Sequence, residues 1–278
     1  MTKEETILKM NELGASKTPF LFIIDFEMEK CIVEKLDELN NDDIKFFFNN
    51  YSNVENTKTE KNIVLNVFPP NYSEYLKSFE IVKENILLGN SYLVNLTFSS
   101  EIKINANLES IFYQSKAKYK LFYKDKFTFF SPEIFVKIID GEIYSYPMKG
   151  TIDASIFDAE NIILNDEKEI AEHYTIVDLI RNDLNIVAKN IRVEKFRYVD
   201  CISTNKKNIL QLSSEITGDL DENYNKKLGN IIFSLLPAGS ISGAPKKKTL
   251  EIIKHAEKSK RGFYTGVAGI FDGNNVDS

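Results

Sequence analysis

The stretch Ser145-Tyr146-Pro147-Met148-Lys149-Gly150-Thr151 sets one lysine just after a proline and just before a glycine, following a run that reads as strand. Proline restricts the backbone ahead of the lysine, and glycine permits the sharp conformations that other residues avoid. A lysine held in this way can act as an amine nucleophile once burial or a nearby cation lowers its pKa enough to free the lone pair. The same turn is more commonly a solvated surface loop.

Three other groups of residues bear on that choice. Glu133 follows Ser131-Pro132 on the first arm of an expected hairpin over 127–146, turning at Asp140-Gly141. Antiparallel pairing about that turn sets position 133 opposite roughly 148, beside the lysine. A carboxyl there can serve as general acid for a leaving hydroxyl, or it is one half of a surface ion pair. Glu169 and Glu172 stand three apart on an expected helix, nearly on one face, with Asp178 close by. Such oxygen donors suit Mg2+, which takes one or two protein carboxylates plus substrate oxygens, although a solvated acidic face is the more common outcome. His173 is as much a packing or hydrogen-bonding residue as a catalytic one. The segment Ala238-Gly239-Ser240-Ile241-Ser242-Gly243-Ala244-Pro245-Lys246 opens a helix with free N–H groups, which makes either an anion cradle or an ordinary capped start. Its spacing matches no nucleotide-binding loop, so a small carboxylate suits it better.

The elements that must position these groups follow from periodicity. Residues 4–13 read as a helix ending at Gly14, and 19–26 as an apolar strand. Residues 37–61 read as polar loops around a strand at 44–48. Ser73 is the expected cap of a helix with Leu76, Phe79, Val82 and Ile86 on its buried face. Residues 91–104 alternate like a single strand, and a short helix covers 108–118. A helix over 162–183 should bury Ile170, Tyr174, Val177 and Ile180 or Leu184. Strands are expected at 191–199 and 209–216, helices at 220–236 and 245–257, and a last strand at 265–271. Helices mixed with antiparallel hairpins, without a regular strand–helix alternation, indicate an α+β fold in one domain spanning 1–278. The turn Asp272-Gly273-Asn274-Asn275 calls for a returning strand, yet only Val276, Asp277 and Ser278 follow. The expectation is therefore an unpaired edge and a chain cut short.

Composition excludes several classes. A net charge of −6 offers no footprint for nucleic acid or an anionic membrane surface. Two cysteines and two histidines make neither a disulfide framework nor a zinc cluster. No apolar run is long enough to span a membrane and the N-terminus has no signal pattern, so a cytoplasmic globular protein is expected.

Taken in order, several motifs resemble the chorismate-utilising enzymes. They are Gly89-Asn90-Ser91-Tyr92-Leu93-Val94-Asn95-Leu96-Thr97, Ser131-Pro132-Glu133, Pro147–Thr151, Ala171-Glu172-His173 running into Ile176–Asp183, Gly239–Lys246 and Arg261-Gly262-Phe263-Tyr264-Thr265-Gly266. The match covers about 89–278. It implies a fold like anthranilate synthase component I, with antiparallel sheets flanked by helices. Anthranilate synthases resemble Pro-Ile-Ala-Gly-Thr at the lysine turn, whereas aminodeoxychorismate synthase component I often carries lysine there, as Lys149 does here. The resemblance therefore implies conversion of chorismate and ammonia to 4-amino-4-deoxychorismate, the precursor of p-aminobenzoate and folate. In that scheme Lys149 is the nucleophile, Glu133 the acid, and Glu172 with Glu169 the Mg2+ ligands. Thr151, Gly239, Ser240, Ser242 and Tyr264 contact substrate, and ammonia comes from a glutamine amidotransferase partner. Anthranilate synthase, isochorismate synthase and a non-catalytic family member are the alternatives. Gln211 stands where many members have histidine, and Ile152-Asp153 replaces a common basic residue. The substrate-binding arginine, glycine-rich loop and further glutamate that members carry past the position of Asn275 are not in this sequence, which implies little turnover.

Overall fold

The computed structural model describes residues 1–55, 62–203 and 207–278. The end of the expected polar loop, residues 56–61, lies outside the described residues. Helix α1 (Lys3–Ala15) starts at a reciprocal cap in which Thr2 Oγ1 accepts the Glu5 N–H and the Glu5 carboxylate accepts the Thr2 N–H. Strand β1 (Phe20–Ile24) is buried along its whole length, as its unbroken apolar run requires. Next come β2 (Cys31–Lys35), β3 (Ile44–Phe48), β4 (Tyr51–Ser52), β5 (Leu65–Phe68) and α2 (Tyr72–Leu87). The cap of α2 is Asn71, not Ser73: the Asn71 side chain accepts the Ser73 N–H. Of the expected apolar stripe on α2 only Val82 is buried, while Leu76, Phe79 and Ile86 stay about two-fifths exposed.

The expected strand at 91–104 divides into β6 (Leu93–Val94) and β7 (Glu101–Ile104), which join different partners. Helix α3 (Leu108–Gln114) leads to β8 (Tyr119–Tyr123), β9 (Phe127–Ser131), β10 (Lys137–Ile139), β11 (Glu142–Ser145) and β12 (Met148–Asp153). The expected hairpin at 127–146 is only half right. Strands β10 and β11 do turn at Asp140-Gly141, both with positive φ, but β9 pairs with β8 in another sheet. Residues 132–136, Glu133 among them, cross from one sheet to the other.

The expected helix at 162–183 is likewise two: α4 (Ala159–Asn165), then α5 (Glu167–Leu184), restarted by the Asp166 side chain accepting the Glu169 N–H. The buried stripe of α5 is His173, Ile176, Val177, Ile180 and Leu184, and Tyr174 points outward. Long strands β13 (Lys189–Ser203) and β14 (Asn208–Asp219) follow, then a 3-10 turn (Tyr224–Lys227) and α6 (Leu228–Leu235) in place of one helix over 220–236. The short turn α7 (Gly239–Ser242), β15 (Gly243–Ala244), α8 (Lys246–Ala256), β16 (Val267–Phe271) and β17 (Val276–Asp277) complete the order.

Among the described residues nine strands form the main sheet, antiparallel throughout, in the order β12–β14–β11–β10–β17–β16–β1–β2 with β13 on the other edge of β14. The returning strand that seemed missing is present: β17 pairs with both β16 and β10, so β16 has no open edge there. Phe20, Phe22 and Ile24 face helices α1, α5 and α6, whereas Leu21 and Ile23 face a four-stranded sheet, β4–β3–β8–β9. The molecule is thus three-layered: helices, the main sheet, and a smaller sheet under one half of it. This bears out the α+β reading.

Candidate functional site

Lys149 reaches its position because β12 leaves its ladder. Pairing with β14 holds Met148 against Ser213 and resumes only at Thr151 against Gln211. Between them Gly150 takes φ +82°, and a Cβ there would stand 2.9 Å from Glu169 Oε2. Glycine is therefore required both by the backbone and by the close approach of a carboxylate. Lys149 Nζ lies 3.7 Å from Glu172 Oε2 with about a third of the side chain exposed. Glu133 keeps an exposed surface, yet the packing around its carboxyl disfavours the charged form and pushes it above its ordinary range, and the charge of Lys149 partly opposes that shift. The amine is thus paired with Glu172 and its charge is felt at Glu133, which a loop and not a hairpin arm delivers.

Glu169 and Glu172 sit one turn apart on α5. Lys168 spans them, 3.8 Å from Glu169 Oε1 and 3.4 Å from Glu172 Oε1. Among the described residues no group of three or more His, Cys, Asp or Glu is placed to hold a metal ion. Two carboxylates, one of them against the cradle at Gly150, still fit a Mg2+ ion whose remaining ligands are substrate oxygens and water.

A cavity adjoins this cluster, lined by Glu133, Tyr146, Asp183, Gly239, Ser240 and Thr265 among others. Glu133 belongs to both, lining the cavity and sensing Lys149. Gly239 and Ser240 also line it; Lys149, Glu169 and Glu172 do not. Thr151 is exposed on β12. Ser242 is fully buried and its hydroxyl donates to the Ala238 carbonyl at 2.8 Å. Tyr264 is 63% exposed, and it is its neighbours Thr265 and Gly266 that face the cavity.

Two features escaped the sequence reading. The expected anion cradle is engaged by the chain itself: the Asp183 carboxylate lies against Gly239, near its N–H, and pairs with Lys246 at 2.9 Å. Burial pushes the Asp183 carboxyl up, while Lys246 and that N–H pull it back down. Both residues close motifs quoted above, but nothing in their spacing says that they meet. Arg261 is the other. Its guanidinium is buried, pairs with Glu257, and donates to the carbonyls of Ile241 at 2.8 Å and Asn95 at 2.5 Å. It lies 4.4 Å from the Phe26 ring centroid, and ties the Gly239–Ser242 turn to the rest of the cavity wall.

The profile of the chorismate binding enzyme family matches residues 9–278. A Haemophilus influenzae protein described as an uncharacterized PabA-like protein is 50% identical over 277 residues, covering 100% of this chain and 84% of its own. Anthranilate synthase component 1 of Aquifex aeolicus is 37% identical over 153 residues, covering 52% of this chain and 30% of its own. Among solved structures, the menaquinone-specific isochorismate synthase MenF of Escherichia coli superposes with a TM-score of 0.71 at 14% identity, covering 99% of this chain and 71% of that one, a likeness of fold.

Proposed function

The chain belongs to the chorismate binding enzyme family, and on that premise we propose that it is an aminodeoxychorismate synthase component I, forming 4-amino-4-deoxychorismate from chorismate and ammonia. The observation that carries this reading is Lys149 paired with Glu172, with its charge felt at the Glu133 carboxyl. Lys149 Nζ, as the free amine, attacks C2 of the ring; the double bond shifts and the C4 hydroxyl leaves as water, taking its proton from Glu133. Ammonia then adds at C4, the double bond returns and the lysine departs, so the net change is replacement of hydroxyl by amine. Two substitutions through a covalent adduct replace one difficult direct displacement. A carboxyl raised above its ordinary range favours the protonated form that a general acid needs. Glu172 and Glu169 would hold Mg2+, which supplies positive charge for the ring carboxylate. Gly239 and Ser240 offer substrate contacts in the adjoining cavity, and a glutamine amidotransferase partner supplies the ammonia.

The test is product identification after incubating the protein with chorismate, Mg2+ and an ammonium salt. 4-Amino-4-deoxychorismate supports the reading, and anthranilate or isochorismate overturns it. Calorimetric binding of chorismate with no turnover would instead favour a non-catalytic family member. Lys149→Ala should abolish the product or divert it to anthranilate; the same product at the same rate removes the lysine from the mechanism.

A further inference from the structure

Lys149 and Gly150 fall in the gap where β12 leaves the β14 ladder, so strand pairing does not set the height of the amine above the sheet. Another anchor is needed, and α5 supplies one next to Glu172. His173 is fully buried beneath the turn. Its Nε2 lies 2.7 Å from Ser214 Oγ. Ser214 is itself committed on both sides: Oγ accepts the Arg197 N–H at 3.0 Å, and its N–H donates to the Pro147 carbonyl at 3.0 Å. Ser214 Oγ, with one hydrogen and two lone pairs, bonds both the Arg197 N–H and His173 Nε2. The imidazole also adjoins the Lys149 backbone, and its Nδ1 is buried without a hydrogen-bond partner. The Phe196 ring fixes the plane of the imidazole from one side, edge-on at 5.7 Å. A core position that served packing alone would favour an apolar side chain, since a buried nitrogen left short of a partner costs about 1–3 kcal/mol.

We propose that His173 is a positioning residue for Lys149: joined to Ser214 of β14, which also holds the Pro147 carbonyl at the start of the turn, its imidazole sets the height of the turn and so the reach of the amine towards Glu172. The catalytic consequence rests on Lys149 being the nucleophile; the geometric one does not. Displacement of a reacting group by about 1 Å costs on the order of 100-fold in rate.

The test compares His173→Phe, which keeps a ring and removes both nitrogens, with His173→Asn, which returns a hydrogen-bonding amide. Each variant is measured for thermal unfolding, for kcat and KM with chorismate and ammonium, and for acetylation of Lys149 relative to other lysines under limiting acetic anhydride, read by peptide mass spectrometry. His173→Phe should alter relative Lys149 acetylation about three-fold or more and lower kcat by about 100-fold with KM little changed. His173→Asn should return the acetylation rate towards the parent value. Parent-like Lys149 acetylation in folded His173→Phe overturns the proposal, whatever happens to activity. If His173→Phe does not fold, Ser214→Ala releases the clamp alone, and its Lys149 acetylation decides in the same way. Full turnover by Lys149→Ala would remove the nucleophile reading while leaving the acetylation result to judge the positioning.

Discussion

At Glu133 burial and charge pull in opposite directions, and the result can be read in both rate and stability. Burial is the larger effect, so the folded carboxyl holds its proton to a higher pH than a free one, with Lys149 partly offsetting the shift. An acid that must donate works while protonated, so turnover should fall as pH rises through that raised value. Glu133→Gln should lower turnover by about 100-fold or more and remove this falling limb from the pH–rate profile. Stability follows the same sign. Below the ordinary carboxylate pKa both folded and unfolded chains are protonated and nothing is lost; as pH rises through the folded pKa, the unfolded state releases its proton more readily and stability drops. Glu133→Gln should therefore have a higher urea midpoint than the parent at about pH 7, with the gap closing near pH 4. A variant less stable than the parent at both pH values would contradict the burial argument. The residue types here were legible from the sequence. Their neighbours were not: Asp183 meeting Gly239 and Lys246, or His173 meeting Ser214, depends on which strands and helices pack together.

At the scale of elements, periodicity found most of the helices, left β2, β5, β8 and β12 unassigned, and misplaced several junctions. Asn71 and Ser73 are both good capping types, and which one caps α2 is decided by where the chain turns inward. Asn71→Ala should cost about 1 kcal/mol in chemical denaturation, and Ser73→Ala only a few tenths. Asp166 shows the same effect, dividing an apparently continuous helix so that α5 starts afresh just before Glu169. The irregularity in β12 matters most for the site. Gly150→Ala forces a side chain into a positive-φ position and against Glu169, so we expect a loss of about 1–3 kcal/mol in unfolding free energy together with reduced turnover. Parent-like stability in Gly150→Ala would show that the backbone there can relax without cost.

Across the whole molecule, β1 is the shared wall, alternate residues serving the helical layer and the smaller sheet. The two sheets are joined again at β17. Tyr119 Oη donates to Asp277 Oδ1 at 2.5 Å and Asn49 Nδ2 donates to Asp277 Oδ2 at 2.8 Å, with Lys137 Nζ 3.5 Å from the same carboxylate. Tyr119→Phe removes a donor from a half-buried charge and should destabilise the protein by about 1–3 kcal/mol, measured by thermal or urea unfolding. A neutral result would mean that water replaces the phenol at this joint. Among the described residues no helix is long and apolar enough to cross a membrane.

The sequence by itself determined the mixed helix and antiparallel-strand character, the turn at Asp140-Gly141, and the residue types assembled at the site. These are local properties, written in periodicity and in the backbone freedom of single residues. Only the tertiary structure decided that Glu133 arrives on a crossing between sheets, that Asp183 engages the Gly239–Ser242 turn, and that His173 underlies Lys149. Such meetings join residues far apart in the chain. They are fixed by burial of β1 and its neighbours, whose energy comes from side chains that touch none of the reacting groups.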